Sequence, residues 1–97
     1  MTTRPYIRWD FQGIDKADRA ILWYNGVEDD LAAQGAVLAE GISVLLWEKD
    51  EDDDGQPALM IVDAVVDRFD PINQCWVARV QEDTLRYEAV RDPPWKV

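Results

Sequence analysis

The stretch that decides the fold runs from residue 42 to residue 62 and reads ISVLLWEKDEDDDGQPALMIV. Its ends, residues 42–47 and 58–62, are apolar runs rich in aliphatic side chains, and residues 48–55 between them are acidic and end in glycine. Short apolar runs separated by a polar, glycine-containing segment are typical of two strands joined by an exposed loop. We therefore predict a β-hairpin whose tip carries a dense negative charge.

The sequence after this hairpin keeps the same strand pattern. We predict a long strand over 58–69 bent near Asp63, a turn over 70–73, a strand over 75–80, a one-turn corner over 81–83 and a last strand over 84–89. This order resembles that of the SH3-like barrels, in which a similar corner precedes the last strand. The resemblance covers residues 36–90 and implies a small, partly open antiparallel β-barrel. Because many functions occur on this fold, the resemblance names none of them.

The N-terminal third begins with a clear alternation. Ile7, Trp9 and Phe11 fall on one face of a strand, and Arg8 and Asp10 fall on the other, which predicts a half-buried antiparallel strand.

Residues 16–24 fit two structures. They form either a helix capped by Asp15 or, as the apolar run over 20–24 favours, a strand that pairs with the first strand. Residues 27–34 then predict a short helix with acidic residues in its first turn and Gly35 after its last turn.

The 97 residues are enough for a single domain. We expect a mainly β fold, α+β only in a minor way, with one short helix. Residues 4–35 would form an N-terminal hairpin or strand–helix extension, 36–90 the SH3-like core, and 91–97 a loose tail, since Pro93 and Pro94 cannot continue a sheet.

The formal net charge of −10 is large for this length. A negative field repels nucleic acid and anionic lipid and attracts basic partners, and the ten basic residues are scattered along the sequence. We therefore expect no nucleic-acid binding. The apolar runs are too short to span a membrane, no apolar secretion signal opens the sequence, and the single cysteine forms no internal disulfide, so we expect a cytoplasmic protein.

The composition gives little support to catalysis. The chain has no histidine, the commonest general base, and Cys75 lies in an apolar strand without an activating partner. Its glycines are isolated, so the chain lacks a phosphate-binding loop. We expect a protein that is not an enzyme and has no cofactor and no catalytic residues.

Residues 50–55, DEDDDG, match the first half of a calcium-binding loop. The second half fails, because Ile61 occupies the position of the bidentate glutamate and the flanks read as strands. A solvated acidic loop explains the same residues, and we predict no metal site.

The aromatic residues give a better indication of function. The chain has five tryptophans, and Trp47 borders the acidic loop while Trp76 follows the turn over 70–73. An indole beside carboxylates can receive a cationic side chain. The predicted binding residues are therefore the two tryptophans and the loop carboxylates, namely Trp47, Trp76, Asp50, Asp52, Asp53 and Asp54.

Three functions remain open at this point. The first and favoured one is a protein-binding or regulatory module that docks on a basic protein surface. The second is a structural or accessory domain that associates with itself through an apolar face around Trp9, Phe11 and Trp23. The third is a module that responds weakly to calcium through the loop over 50–55. The sequence leaves the choice between monomer and homodimer open.

Overall fold

The structure is a computed structural model that describes residues 4–11, 14, 19–22, 27–72 and 74–95. Its elements in chain order are β1 (Tyr6–Arg8), β2 (Ala20–Leu22), α1 (Val27–Ala33), β3 (Ser43–Glu51), β4 (Pro57–Asp70) and β5 (Cys75–Ala89). The five strands form one sheet in the order β1-β3-β4-β5-β2, which curls into an open half-barrel. The prediction of a mainly β fold with one short helix is confirmed. Within the described ranges, no helix is long and apolar enough to cross a membrane.

The predicted hairpin is present. Strands β3 and β4 pair antiparallel without interruption from Ser43 opposite Val65 to Glu51 opposite Pro57. The loop is shorter than predicted, because residues 48–51 continue the pairing and only residues 52–56 form the turn.

Strand β5 continues through the predicted corner at 81–83. Its pairing with β4 shifts from Gln81 opposite Asp63 to Arg86 opposite Ile61, so the corner is a β-bulge rather than the start of a separate last strand. Thr84 stabilises the bulge, because its Oγ1 donates to the carbonyl oxygen of Gln81 at 2.6 Å and accepts from the amide of Asp63 at 2.8 Å. A bulge of this kind increases the local bend and twist of a sheet, as expected for a sheet that curls.

The N-terminal third forms both edges of the sheet, and two predictions about it were wrong. Strand β1 pairs parallel with β3, not antiparallel, and β2 pairs antiparallel with β5 instead of with β1. The two strands therefore lie at opposite edges of the sheet and do not pair with each other. The strand alternative is confirmed for residues 20–22. Residues 15–18 and 23–26, on which the rest of that prediction falls, lie outside the described residues.

Helix α1 ends one residue from its predicted limit, and Gly35 follows it with φ of +66°. Gln34, beside this glycine, closes the outer edge of β1. The side-chain carbonyl oxygen of Gln34 accepts from the amide of Tyr6 at 2.7 Å, and its side-chain nitrogen donates to the Tyr6 carbonyl at 2.8 Å. The amide side chain thus replaces a neighbouring strand at the edge of the sheet.

The middle of the sheet is buried on both faces. The inner face, which we define by Val44, Leu46, Val62, Ala64 and Val66, packs against Ile7, Trp9, Leu22, α1 and Leu38. The outer face, which we define by Leu45, Trp47, Leu59 and Ile61, packs against Tyr6. Because strand residues alternate between faces, the continuous apolar runs of β3 and β4 require cover on both sides.

The C-terminal segment, which we expected to be loose, is held in place as far as residue 95. Pro94 is buried, and its carbonyl oxygen accepts a 2.6 Å hydrogen bond from Nε of Arg91. Arg91 also donates to the hydroxyl oxygen of Tyr6 at 3.1 Å, which ties the segment to β1.

Leu46 is fully buried on the inner face, whereas Val37 is 84% exposed. We expect Leu46→Ala to lower the free energy of unfolding by about 2–5 kcal/mol, because it removes buried methyl groups and leaves a cavity. Val37→Ala is the matched control and should change it by less than about 0.5 kcal/mol. Urea denaturation followed by circular dichroism measures both, and equal losses would contradict the assignment of the core.

Candidate functional site

The acidic turn between β3 and β4 is organised by Asp52. One oxygen of its carboxylate, Oδ1, accepts hydrogen bonds from the amides of Asp54 and Gln56, both at 2.9 Å. Gly55 adopts φ of +76°, and its amide donates to the Asp52 carbonyl at 2.9 Å. Asp52 therefore acts as the internal acceptor that shapes the turn.

The other carboxylates of this predicted site lie at a solvent-exposed hairpin tip. Asp50, Asp53 and Asp54 are exposed. Among the described residues, no group of three or more potential ligands is close enough to hold a metal ion. The geometry of the turn thus supplies no argument for the calcium-responsive alternative.

Trp47, which we predicted at the binding face, is 5% exposed and packs on the outer face with Leu45, Leu59 and Ile61. The guanidinium carbon of Arg8 lies 5.5 Å from its ring centroid, so a cation of the same chain already covers the indole. Its Nε1 is buried and has no hydrogen-bond partner within the described part of the chain. The indole of Trp47 is thus buried rather than open to a partner beside the acidic turn, because β3 is buried on both faces.

Trp76 lies at the other end of the sheet. It is half-buried and pairs with Phe69, whereas the acidic turn precedes Pro57 at the opposite end of β4. The predicted tryptophans and carboxylates therefore do not form one surface. The turn and Trp76 have to be considered as separate features.

The self-association face predicted around Trp9 and Phe11 is also largely covered. Trp9 is buried, Phe11 is half-buried against the inner face, and their ring centroids are 4.4 Å apart. Trp23, the third member of that face, lies outside the described residues. Trp9 therefore belongs to the core, and Phe11 packs against the core while staying partly exposed.

A groove of about 930 Å³ surrounds Trp76 between helix α1 and the β4–β5 turn. Its apolar lining comes from β2, α1, the segment after α1 and the start of β5, and includes Leu22, Leu31, Leu38, Cys75 and Trp76. The volume lies within the range of about 300–1,000 Å³ that is typical of small-molecule sites.

The rim of the groove is acidic and carries exposed apolar side chains. Glu28 and Asp29, in the first turn of α1, line the groove, and its described lining includes no lysine or arginine. Val37 and Phe69 also line it, and they are 84% and 47% exposed. Phe69 packs edge-on against Trp76 with the ring centroids 5.6 Å apart. The groove thus combines an aromatic anchor with negative charge.

Cys75 contributes to the groove as an apolar residue. Burial raises the pKa of its thiol, and the negative charge of Asp70 raises it further. A thiol in this environment stays protonated at neutral pH and is a poor nucleophile.

Sequence analysis missed most of the groove. Phe69 lies at the end of a predicted strand, and Val37 lies in a predicted connection. Neither pattern indicated that the two residues would line the same groove. The available indication was the acidic first turn of α1 followed by Leu31, which describes an amphipathic helix with one charged face.

An arginine network, defined as Arg4, Arg86 and Arg91 with Asp63 and Glu88, lies on the outer-face side of the sheet. Asp63 accepts from Arg4 and Arg86, each at 3.0 Å. Glu88 accepts from Arg86 at 3.0 Å and from Arg91 at 2.9 Å. The basic residues are scattered along the sequence, but the fold brings three of them together here.

The network lowers the pKa of both carboxyl groups. Burial of each carboxyl raises its pKa, but hydrogen bonds and charges from the arginines outweigh burial, so the pKa of Asp63 and that of Glu88 lie below their ordinary values. The carboxylates are thus stabilised in their charged form by the folded state.

We expect Asp52→Ala to lower the free energy of unfolding by about 1 kcal/mol, because it leaves two turn amides without their acceptor. Asp53→Ala removes the same charge from the exposed tip of the same turn and is the matched control. Thermal and urea unfolding compare the two variants, and equal effects would show that charge, not hydrogen bonding, decides the stability of the turn.

We expect the Asp63–arginine contacts to stabilise the fold above about pH 4, near the ordinary carboxyl pKa. A folded-state pKa below the unfolded value means that this contribution is lost as the pH falls through the lowered pKa. Asp63→Asn should therefore be less stable than the wild type at pH 7, with a difference that shrinks below about pH 4. Urea unfolding across this pH range tests it, with Asp53→Asn as the control, and a pH-independent difference would contradict it.

Comparison with protein-family models, curated proteins and solved structures finds no match to this chain. The function is therefore argued from the geometry of the described residues. Of the surfaces above, the groove between α1 and the β4–β5 turn combines volume, apolar lining and charge, and it is the candidate functional site.

Proposed function

We propose that this protein is a non-enzymatic binding module whose groove takes a basic, amphipathic segment of another protein. The observation that carries the proposal is the groove itself, where an apolar lining around Trp76 lies beside the carboxylates of Glu28 and Asp29. An apolar anchor side chain of the partner would enter the groove, and lysine or arginine side chains next to it would meet the acidic rim.

Exposed apolar side chains support this proposal. Val37 and Phe69 line the groove and are 84% and 47% exposed. Single exposed apolar residues need no explanation, but several around one concave site are typical of an interaction surface. Aromatic residues such as Phe69 and Trp76 are frequent energetic anchors of interfaces.

The charge of the protein supports a cationic partner. With a net charge of −10, the protein attracts basic proteins at long range and increases their rate of association. In this proposal the acidic turn over 52–56 contributes to the long-range field, and the groove makes the contacts. Binding should therefore weaken as salt screens the field.

Three further expectations stay proposals. We propose a cytoplasmic location, for which the single buried thiol of Cys75 is suitable. The absence of histidine from the sequence supports a function without catalysis. The curled sheet supports a relation to SH3-like barrels, although the parallel pairing of β1 with β3 is a difference from the antiparallel arrangement that we expected.

A short amphipathic peptide of leucine and lysine, labelled with fluorescein, tests the groove by fluorescence anisotropy. We expect it to bind, whereas the same peptide with glutamate in place of lysine should not, because the groove rim and net charge would repel it. Affinity should fall as sodium chloride is raised. Equal binding of the two peptides would contradict the proposal.

Paired variants locate the contact. The double variant Glu28→Gln, Asp29→Asn removes two rim charges. It should lower the affinity for the lysine peptide by about three- to tenfold, since each exposed ion pair contributes up to about 1 kcal/mol. Asp53→Asn with Asp54→Asn removes two charges from the acidic turn and should have a smaller effect. If the turn variant weakens binding more, the contact lies at the turn and not in the groove.

Phe69→Ala removes the exposed aromatic side chain of the groove. It should lower the affinity for the lysine peptide by about tenfold, as expected for an aromatic anchor. Tyr87→Ala is its control, because Tyr87 is a similarly exposed aromatic residue near the other end of the sheet. Circular dichroism checks that both variants are folded. Unchanged affinity of Phe69→Ala would exclude the groove as the binding site.

A further inference from the structure

We propose that β5 pairs with β5 of a second copy of this chain along the segment 86–88, so that two sheets join across a two-fold axis. The two copies would run antiparallel, with Tyr87 opposite Tyr87 of the partner subunit. This surface is separate from the groove, and the proposal does not depend on the proposed function.

The first observation is the difference between the two sides of the sheet. Gln34 occupies the backbone groups of Tyr6 at the outer edge of β1. Strand β2, by contrast, covers β5 only from Trp76 to Ala78. Beyond that point, the described residues pair β5 with β4 alone, up to Ala89. Within the described part of the chain, the second side of this last part of β5 has no strand partner, and the Ala89 carbonyl there accepts a 3.3 Å hydrogen bond from Arg91.

The bulge restricts where another strand could pair. It displaces the segment 82–85 from the regular ladder and carries Glu82 and Asp83, both exposed. Charged residues and bulges are common devices that block an edge strand from pairing. After the bulge the regular pairing resumes at Arg86, so the segment 86–89 is the part of the edge with regular strand geometry.

The second observation is that this segment is complementary to itself. In an antiparallel pair centred on Tyr87, Arg86 lies opposite Glu88 of the partner subunit, and Glu88 lies opposite Arg86 of the partner subunit. Opposite charges at directly opposed positions favour strand pairing, whereas shifting the centre to Arg86 or Glu88 would oppose like charges. Both side chains already belong to the arginine network, where Arg86 bonds to Asp63 and Glu88. Charge complementarity therefore favours a second copy of this chain in one register, as an extension of that network across the two-fold axis.

The apolar side chains agree with that register. Tyr87 is 43% exposed and Leu85 is 48% exposed, and Tyr87 lies opposite the half-buried Met60 of β4. In the paired sheet, the two tyrosines would become cross-strand neighbours. Aromatic cross-strand pairs of this kind stabilise antiparallel sheets.

Disulfide trapping tests the register. In a Cys75→Ala background, Tyr87→Cys should form a cross-linked dimer under mild oxidation, because directly opposed residues of an antiparallel pair have Cα atoms about 4.5–5.5 Å apart, within disulfide range. Ile72→Cys, in the turn at the start of β5 and 90% exposed, is the matched control and should stay monomeric. Equal cross-linking of the two variants would overturn the proposal.

Sedimentation equilibrium of the unmodified chain gives an independent measurement. We expect a concentration-dependent increase from the monomer mass of 11.2 kDa toward twice that mass at hundreds of micromolar protein. Tyr87→Lys should abolish the increase, since the two-fold axis places the new charges against each other. Ile72→Lys adds the same charge elsewhere and should leave it unchanged. A monomer at every concentration, or dimerisation that survives Tyr87→Lys, would overturn the proposal.

The groove variants separate the two proposals. Phe69→Ala should leave the sedimentation of the chain unchanged, because Phe69 is remote from the segment 86–88. If Phe69→Ala abolishes dimerisation and Tyr87→Lys does not, the copies associate through the groove, and the proposed β5 interface is wrong.

Discussion

The structure depends on the burial of β4 on both of its faces. Its alternating side chains enter the inner face through Val62 and Val66 and the outer face through Leu59 and Ile61. A strand of this kind needs cover on each side, and a chain of 97 residues has few elements with which to provide it. Helix α1 and Trp9 cover the inner face. Tyr6 packs on the outer face, where the arginine network and the C-terminal segment join it through Arg91. The sheet is therefore the middle layer of the fold.

This arrangement explains which features the sequence could predict. The hairpin, helix α1 and the turn after Asp70 follow from local signals, namely apolar runs, acidic residues at a helix start and an Asp-Pro pair. The strand with which β1 pairs could not be predicted from local signals, because its parallel pairing with β3 joins segments far apart in the chain. Trp47 was misplaced for a related reason. Its neighbours in sequence are acidic, but its neighbours in space are Leu59, Ile61 and Tyr6, and burial is decided by the latter.

The same distinction applies to the candidate site. A run of carboxylates is easy to recognise in a sequence. In the turn that it forms, however, Asp52 accepts the hydrogen bonds of the turn amides, and the turn offers a partner only negative charge. The groove instead consists of residues from five separate segments, none of which is unusual alone. Its apolar side chains become a surface only after α1 has packed beside the start of β5. Charge could thus be predicted from composition, whereas the apolar contact that would give a binding site specificity required the fold.

Gln34 shows how closely the parts of this small protein are coupled. Because one amide side chain bonds both backbone groups of Tyr6, β1 is linked to the segment that follows α1 as well as to β3. That segment also lines the groove, through Ala36 and Leu38. The first strand and the helix should therefore open as one cooperative unit, with amide protons that exchange together. A ligand that holds the helix in place would, by the same linkage, slow exchange at a strand it never touches.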